Sequence, residues 1–185
     1  FVFGDPDVDG VSAAAIMVEL VRLLGSSVKW RIPAGGHHGL NGEDLDAVWE
    51  SHAELLICVG CSIDRGVAET VTRAGIDVLV IDNQRPFDRL PVGPIVLNPE
   101  LTGDDPSVQI TSGAIALRLT EEVHANLSAG SRPADLKVQL PYDLAALSTL
   151  ADCIPLTGEN RCIVARGLTS MGHSDRPGLL ELWSR

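Results

Sequence analysis

Basic residues are in short supply: 14 Lys and Arg stand against 25 Asp and Glu, a net charge of −11. A field of that sign repels a nucleic-acid backbone, so any phosphate ligand needs a local basic patch or a metal. No apolar run reaches the roughly 18 residues that span a bilayer, and no basic then apolar opening marks a secretory signal peptide. Four cysteines (Cys58, Cys61, Cys153, Cys162) in 185 residues are too few for a disulfide scaffold; they fit a reducing, cytoplasmic compartment. Trp30, Trp49 and Trp183 are scattered. They form no stacking platform of the kind single-strand binders use, which leaves packing as their role. Internal repeats and low-complexity tracts are absent too.

What the chain does have is apolar content, 45% of its residues, enough for one domain with a substantial core and too much for disorder. Short Val- and Ile-rich runs at 28–32, 55–59, 78–81 and 95–97 read as strands. Between them, 11–24, 45–54 and 65–74 have helical length, with Gly25 and Gly75 where C-terminal caps belong. The second half reads as helices over 111–127, 142–151, 159–171 and 178–183, with a loop at 128–141. Alternating strands and helices predict a doubly wound α/β fold, a mainly parallel sheet with a helical C-terminal half. Phe1-Val2-Phe3 reads as the end of a buried strand, and Leu179 to Arg185 stops within a helical pattern. The expectation is a single domain, 1–185, taken from a longer protein.

Ligands in such sheets bind at the carboxyl ends of the strands. The first strand runs into Gly4-Asp5-Pro6-Asp7-Val8-Asp9-Gly10 and a small-residue helix. Carboxylates at alternate positions repel one another unless a cation or a helix N-terminus offsets them. A calcium EF-hand opens in the same way but needs Glu at its twelfth position, here Ile16, and a helix in front. That reading fails, and a divalent-metal phosphoester site or a plain helix cap remains.

Further motifs follow the first one, Gly4-Asp5-Pro6-Asp7-Val8-Asp9-Gly10-Val11: Arg31-Ile32-Pro33, Val59-Gly60-Cys61-Ser62-Ile63, Asp82-Asn83-Gln84, Leu97-Asn98-Pro99, and the run Thr149 to Arg161. In their order and spacing the chain resembles the DHH-family phosphoesterases, in particular their RecJ-like branch of single-strand exonucleases. The resemblance implies a DHH domain whose motifs meet at the strand ends and hold two manganese or magnesium ions that activate water against a phosphodiester. The family's ligand carboxylates match Asp7, Asp9 and Asp152. Its metal-bridging Asp falls on Gly60, and its two name-giving histidines fall on Asn83 and Gln84, whose neutral amides are far weaker ligands than imidazole. The loop after Ile32-Pro33 lacks the family's Arg. The resemblance therefore implies a degenerate centre with none, or one weakly held, of its Mg²⁺ or Mn²⁺ ions. Asp5, Asp82, His37 and His38 are accessory candidates; the histidines read first as a solvated or loop-stabilising pair, with replacement imidazoles as the alternative. Restoring the centre by Gly60→Asp, Asn83→His and Gln84→His is expected to raise metal affinity.

Other features are weaker. Cys58 and Cys61 form a C-x-x-C without a second pair, so buried thiols are expected rather than zinc. Arg85 and Arg89 read as a solvated loop pair with phosphate contact as the minor alternative. Thr157 and Glu159 suit a helix N-terminus, and Asn160 and Arg161 read as structural. Three functions compete. The first is a catalytically inactive, protein-binding module in a replication or repair complex, as the inactive RecJ-like subunit of the eukaryotic replicative helicase and archaeal replication-associated relatives suggest by analogy. The second is a metal-dependent phosphoesterase or 5′–3′ single-strand exonuclease with residual activity. The third is a nucleotide sensor using Gly35, Gly36 and Gly39 to approach a phosphate. No membrane partner is expected, and single-stranded nucleic acid is a weaker candidate than protein.

Overall fold

The computed structural model describes residues 1–34, 37–84, 92–101, 109–129 and 139–184, with only the backbone described at 128, 129 and 183. Strands β1 (Val2–Gly4), β2 (Trp30–Arg31), β3 (Leu55–Val59), β4 (Asp77–Ile81) and β5 (Ile95–Leu97) pair in parallel, in the order β2-β1-β3-β4-β5 among the described residues. In register, Val2 faces Trp30 and Ile57, and Val80 faces Cys58 and Val96. This is the doubly wound fold that the alternation predicts. The one shortened element is the 28–32 run, where only Trp30 and Arg31 pair as strand. They form the edge of the sheet, and Trp30 is left 57% exposed there.

Two apolar layers cover the sheet, as the period-2 alternation of each strand requires. Phe3, Leu56, Cys58, Val78 and Val80 meet Val48 of α2 (Gly42–Ser51) and Ala68 and Val71 of α3 (Arg65–Arg73). Val2, Ile57, Val59 and Ile81 face the other way. They meet Ala13, Ile16 and Met17 of α1 (Val8–Leu23) and Ala114 and Leu117 of α4 (Ser112–Ala129), in one cluster with α5 (Tyr142–Ala151), α6 (Gly158–Met171) and α7 (Pro177–Trp183). The helical half is therefore stacked on one face of the sheet.

Local chemistry sets the boundaries. Asp7 caps α1 by accepting from the Gly10 N–H at 2.7 Å, which starts the helix three residues before the apolar pattern does. Asn41 caps α2 in a reciprocal box with Asp44. Gly25 and Gly75, at φ +83° and +85°, follow the last turns of α1 and α3 as C′ residues. Asn160 is structural: its amide donates to the Gln109 and Pro155 carbonyls at 2.7 and 3.2 Å. Thr157 stands at the N-cap of α6 without a side-chain cap bond, and Glu159 pairs with Arg118 of α4 instead.

Candidate metal centre

The strand order places a topological switch at β1, whose neighbours β2 and β3 lie on opposite sides, and ligands of such sheets bind at the carboxyl ends there. Beyond β1, the Asp5 N–H donates to the Val59 carbonyl at 3.1 Å and carries the ladder one step further. The Asp5 side chain is buried at 1% exposure. Beyond β3, the Gly60 N–H donates to Ile81 at 2.9 Å. Beyond β4, Asp82 is 3% exposed and accepts from the Gln84 N–H at 3.1 Å. Asp7 and Asp9 open α1, and Asp152 closes α5.

These carboxylates feel one another. Burial raises the Asp82 pKa, and the charges of Asp9 and Asp5 raise it further, while the Gln84 and Asn83 N–H groups oppose the shift. Asp152 is exposed as a residue, yet partial burial of its carboxyl, helped by Asp9 and Asp7, pushes its pKa up to about 6. The structure thus gathers Asp5, Asp7, Asp9, Asp82 and Asp152 in one acidic neighbourhood, as the motif order implies. Among the described residues, however, no three His, Cys, Asp or Glu side chains stand close enough together to hold a metal ion.

The reason lies in what each group is already bonded to. Asp9, 3% exposed, accepts from the Ser112 N–H at 3.0 Å through one oxygen; its other oxygen accepts from the Gly113 N–H at 2.8 Å and the Ser148 hydroxyl at 2.6 Å. Asp5 lies 2.6 Å from His38 Nδ1 and accepts from the Gly39 N–H at 3.3 Å. The hydrogen bond to Asp5 is the main cause of a raised His38 pKa, with the Asp5 and Asp7 charges adding to it. His38 thus stands against Asp5, at the edge of the acidic neighbourhood.

His37 is turned away. Its Nε2 lies 3.1 Å from Asp44, a fully buried carboxylate that also pairs with Arg31 Nε at 2.8 Å, off the hydrogen-bond axis. A buried charge needs a counter-charge, and Arg31 supplies it to Asp44 while His37 contacts the other oxygen, so the alternative of a His37 imidazole at the centre is corrected: His37 serves its loop.

The family's ligand positions are equally committed. Gly60 has φ +70°, and a Cβ built there would stand 2.8 Å from the Gly10 Cα and 3.4 Å from the Asp5 Cβ. Gly10 backbone thus occupies the space that an Asp side chain needs. Asn83 is half-buried, with its Oδ1 3.4 Å from the Ser112 hydroxyl. Gln84 is exposed, and its carbonyl accepts from Asn98 at 2.8 Å. Cys58 and Cys61 are buried free thiols, the first pushed up to about 12 by burial and the second raised by burial and neighbouring negative charge. They hold protons and pack, as the weak C-x-x-C signal expects. Gly35, Gly36, Arg85 and Arg89 lie outside the described residues.

Sequence reasoning missed Thr111, Ser112, Gly113 and Ser148. The signal for the first three was a capping pattern ahead of a helix, a ready acceptor of negative charge. For Ser148 it was a hydroxyl in an otherwise apolar helix.

The sequence model for the DHH family, N-terminal domain, matches residues 1–151. The chain belongs to the DHH family. Its similarity is to the RecJ branch: it is 30% identical over 189 residues to the single-stranded-DNA-specific exonuclease RecJ of Bacillus subtilis (strain 168), covering 98% of this chain and 22% of that protein. To the RecJ of Thermus thermophilus it is 33% identical over 182 residues, covering 96% and 26%. A crystal structure of exonuclease RecJ bound to manganese superposes with a TM-score of 0.80 at 30% identity, over 96% of this chain and 45% of that one. T. thermophilus RecJ in complex with Mn²⁺ gives 0.79 at 30% identity, over 98% and 26%. CDC45 from Entamoeba histolytica shares the fold at a TM-score of 0.51 and 16% identity, over 92% and 34%. This RecJ-like DHH domain therefore spans between 22% and 45% of the length of these RecJ chains. No helix among its described residues is long and apolar enough to cross a membrane.

Proposed function

We propose that this RecJ-like DHH domain is a non-catalytic member of its family and works as a protein-binding module in DNA replication or repair. The observation that carries this reading is Gly60. The group that bridges two metals in the family is missing, and its space is filled by Gly10 backbone 2.8 Å from the Cβ that would be needed. Asn83 and Gln84 supply amides where the family has imidazoles, and both oxygens of Asp9 are already bonded within the chain. That donor set does not fit a pair of divalent ions. The net charge of −11 favours a protein partner over a bare DNA strand. The replication or repair setting is drawn from the single-stranded-DNA exonucleases to which the chain is similar.

One observation supports a second reading, a phosphoesterase with residual activity. Partial burial first, and then the charges of Asp9 and Asp7, push the Asp152 carboxyl up to about 6, and like charges so placed are what a single hard cation relieves. Calorimetric titration of the chelator-stripped chain with Mn²⁺ separates the two. No binding, or one weak ion, is expected. Two tightly bound ions, lost in Asp7→Ala, would reverse the order of the readings.

A further inference from the structure

We propose that this centre has become a metal-free clasp, in which Asp9 locks α4 and α5 onto α1 and thereby joins the helical half to the sheet half. The inference rests on the non-catalytic reading and says what the remaining carboxylate does.

A carboxylate that ligates a metal must turn an electron pair toward an open volume. Asp9 turns its oxygens inward, to donors 103, 104 and 139 residues away along the chain. Two of these donors are the first N–H groups of α4, an eighteen-residue helix. Its N-terminus carries unsatisfied N–H groups and partial positive charge, so a buried anion docked there is stabilised twice, by hydrogen bonds and by the helix dipole.

The surroundings are built for that contact. A Cβ at Gly113 would fall 2.6 Å from the Ser148 hydroxyl and 2.7 Å from its Cβ, so only glycine lets α4 come this close to α5. Ser148 has one proton and gives it to Asp9 at 2.6 Å. The Thr111 hydroxyl, also 2.6 Å from Ser148, therefore donates to it and in turn accepts from the Ala114 N–H at 3.2 Å as the cap of α4. Thr111, Ser112 and Ser148 have no exposed surface. None of them, nor Asp9, leaves a buried side-chain oxygen unpartnered among the described residues. The Ser112 hydroxyl reaches Asn83, so a position that carries histidine in the family is drawn into the same network.

The test is thermal unfolding of the full chain in EDTA, where no metal contributes. Asp9→Asn removes the charge and turns an amide N–H₂ against a backbone donor, and Tm should fall by roughly 5–10 °C. Ser148→Ala should lower it by roughly 2–5 °C. The double variant should fall by clearly less than the sum, because the two changes remove one shared interaction. Unchanged Tm values, or additive ones, would overturn the clasp. Should Asp9→Asn fail to fold, Ser148→Ala decides alone, an unchanged Tm again overturning it. A Tm increase on adding Mn²⁺ that is lost in Asp9→Asn would also overturn it, since Asp9 would then be a ligand. Two tight ions in calorimetry with the Asp9–Ser148 coupling intact in EDTA would defeat the non-catalytic reading alone. Absent coupling without tight ions would defeat the clasp alone.

Discussion

Restoring the family's bridging carboxylate by Gly60→Asp should damage this chain before it helps it. At φ +70° an L side chain costs about 1–2 kcal/mol. A Cβ 2.8 Å from the Gly10 Cα meets backbone that cannot swing aside, and overpacking of this kind costs about 1–3 kcal/mol. Gly60→Ala should therefore lose about 3 kcal/mol, a fall in Tm of about 6–12 °C for a chain of this size. Gly60→Asp adds a negative charge beside buried Asp5 and should lose about 1–3 kcal/mol more. The assay is chemical denaturation of the two variants in EDTA, followed by Mn²⁺ titration of whichever folds. Wild-type stability in Gly60→Asp, with tight Mn²⁺ binding gained, would refute the reasoning, because it would mean the centre still has room for its bridge. The triple restoration with Asn83→His and Gln84→His inherits the same cost, so its expected gain in metal affinity must first overcome the displacement of Gly10.

Two further outcomes follow from charges elsewhere. Asp152 has its pKa raised from 3.8 to about 6, so between those values the folded chain binds more protons than the unfolded one; its contribution to stability is present at low pH and lost as pH rises through about 6. The carboxyl is exposed enough that solvent cuts the effect to about 1 kcal/mol. Asp152→Asn should therefore stabilise the chain at pH 8 and do so less at pH 5; denaturation midpoints at the two pH values check this, and a larger gain at pH 5 would contradict it. Arg176 bonds buried Asp143 at 2.8 Å and Glu19 through both of its terminal nitrogens. Arg176→Ala leaves the Asp143 charge without its guanidinium and should cost about 3 kcal/mol, and Arg176→Lys should fail to rescue it because an ammonium cannot serve both carboxylates as a fork. Urea denaturation with amide exchange across α7 measures the loss, and a change below about 0.5 kcal/mol would show the pair to be dispensable.

The architecture was legible because its causes are local. Val- and Ile-rich runs form β3 and β4, Gly25 and Gly75 close helices through positive φ, and every helix of the second half starts within two residues of its pattern. The errors come from what a window of sequence does not contain. Val28 and Ile32 are as apolar as a strand asks, but β2 has a neighbour on one side only; the Lys29 carbonyl still accepts from the Val2 N–H at 2.9 Å, and the ladder itself is confined to Trp30 and Arg31. Asp7 set the true start of α1, a capping effect that an apolar pattern beginning at Val11 hides.

The centre divides along the same line. That Asp5, Asp7, Asp9 and Asp82 converge was legible, since each follows a strand or opens a helix and parallel strands end together; Asp152, at the end of α5, was placed with them by the family resemblance alone. Which of them remains open to a ligand was not. His37 and His38 are adjacent in sequence, yet one meets Asp44 on α2 and the other Asp5 beyond β1. Asp9 looks like the better ligand of its motif, buried and central, and for that reason it is the one taken by α4 and Ser148. Asp7 is exposed, and among the described residues its side chain accepts only from the Gly10 N–H of its own helix. If any cation is retained here, its carboxylates are Asp7 and Asp152 at the rim. A weak Mn²⁺ signal should then vanish in Asp7→Ala and persist in Ser148→Ala; the opposite pattern would place the ion on the clasp itself.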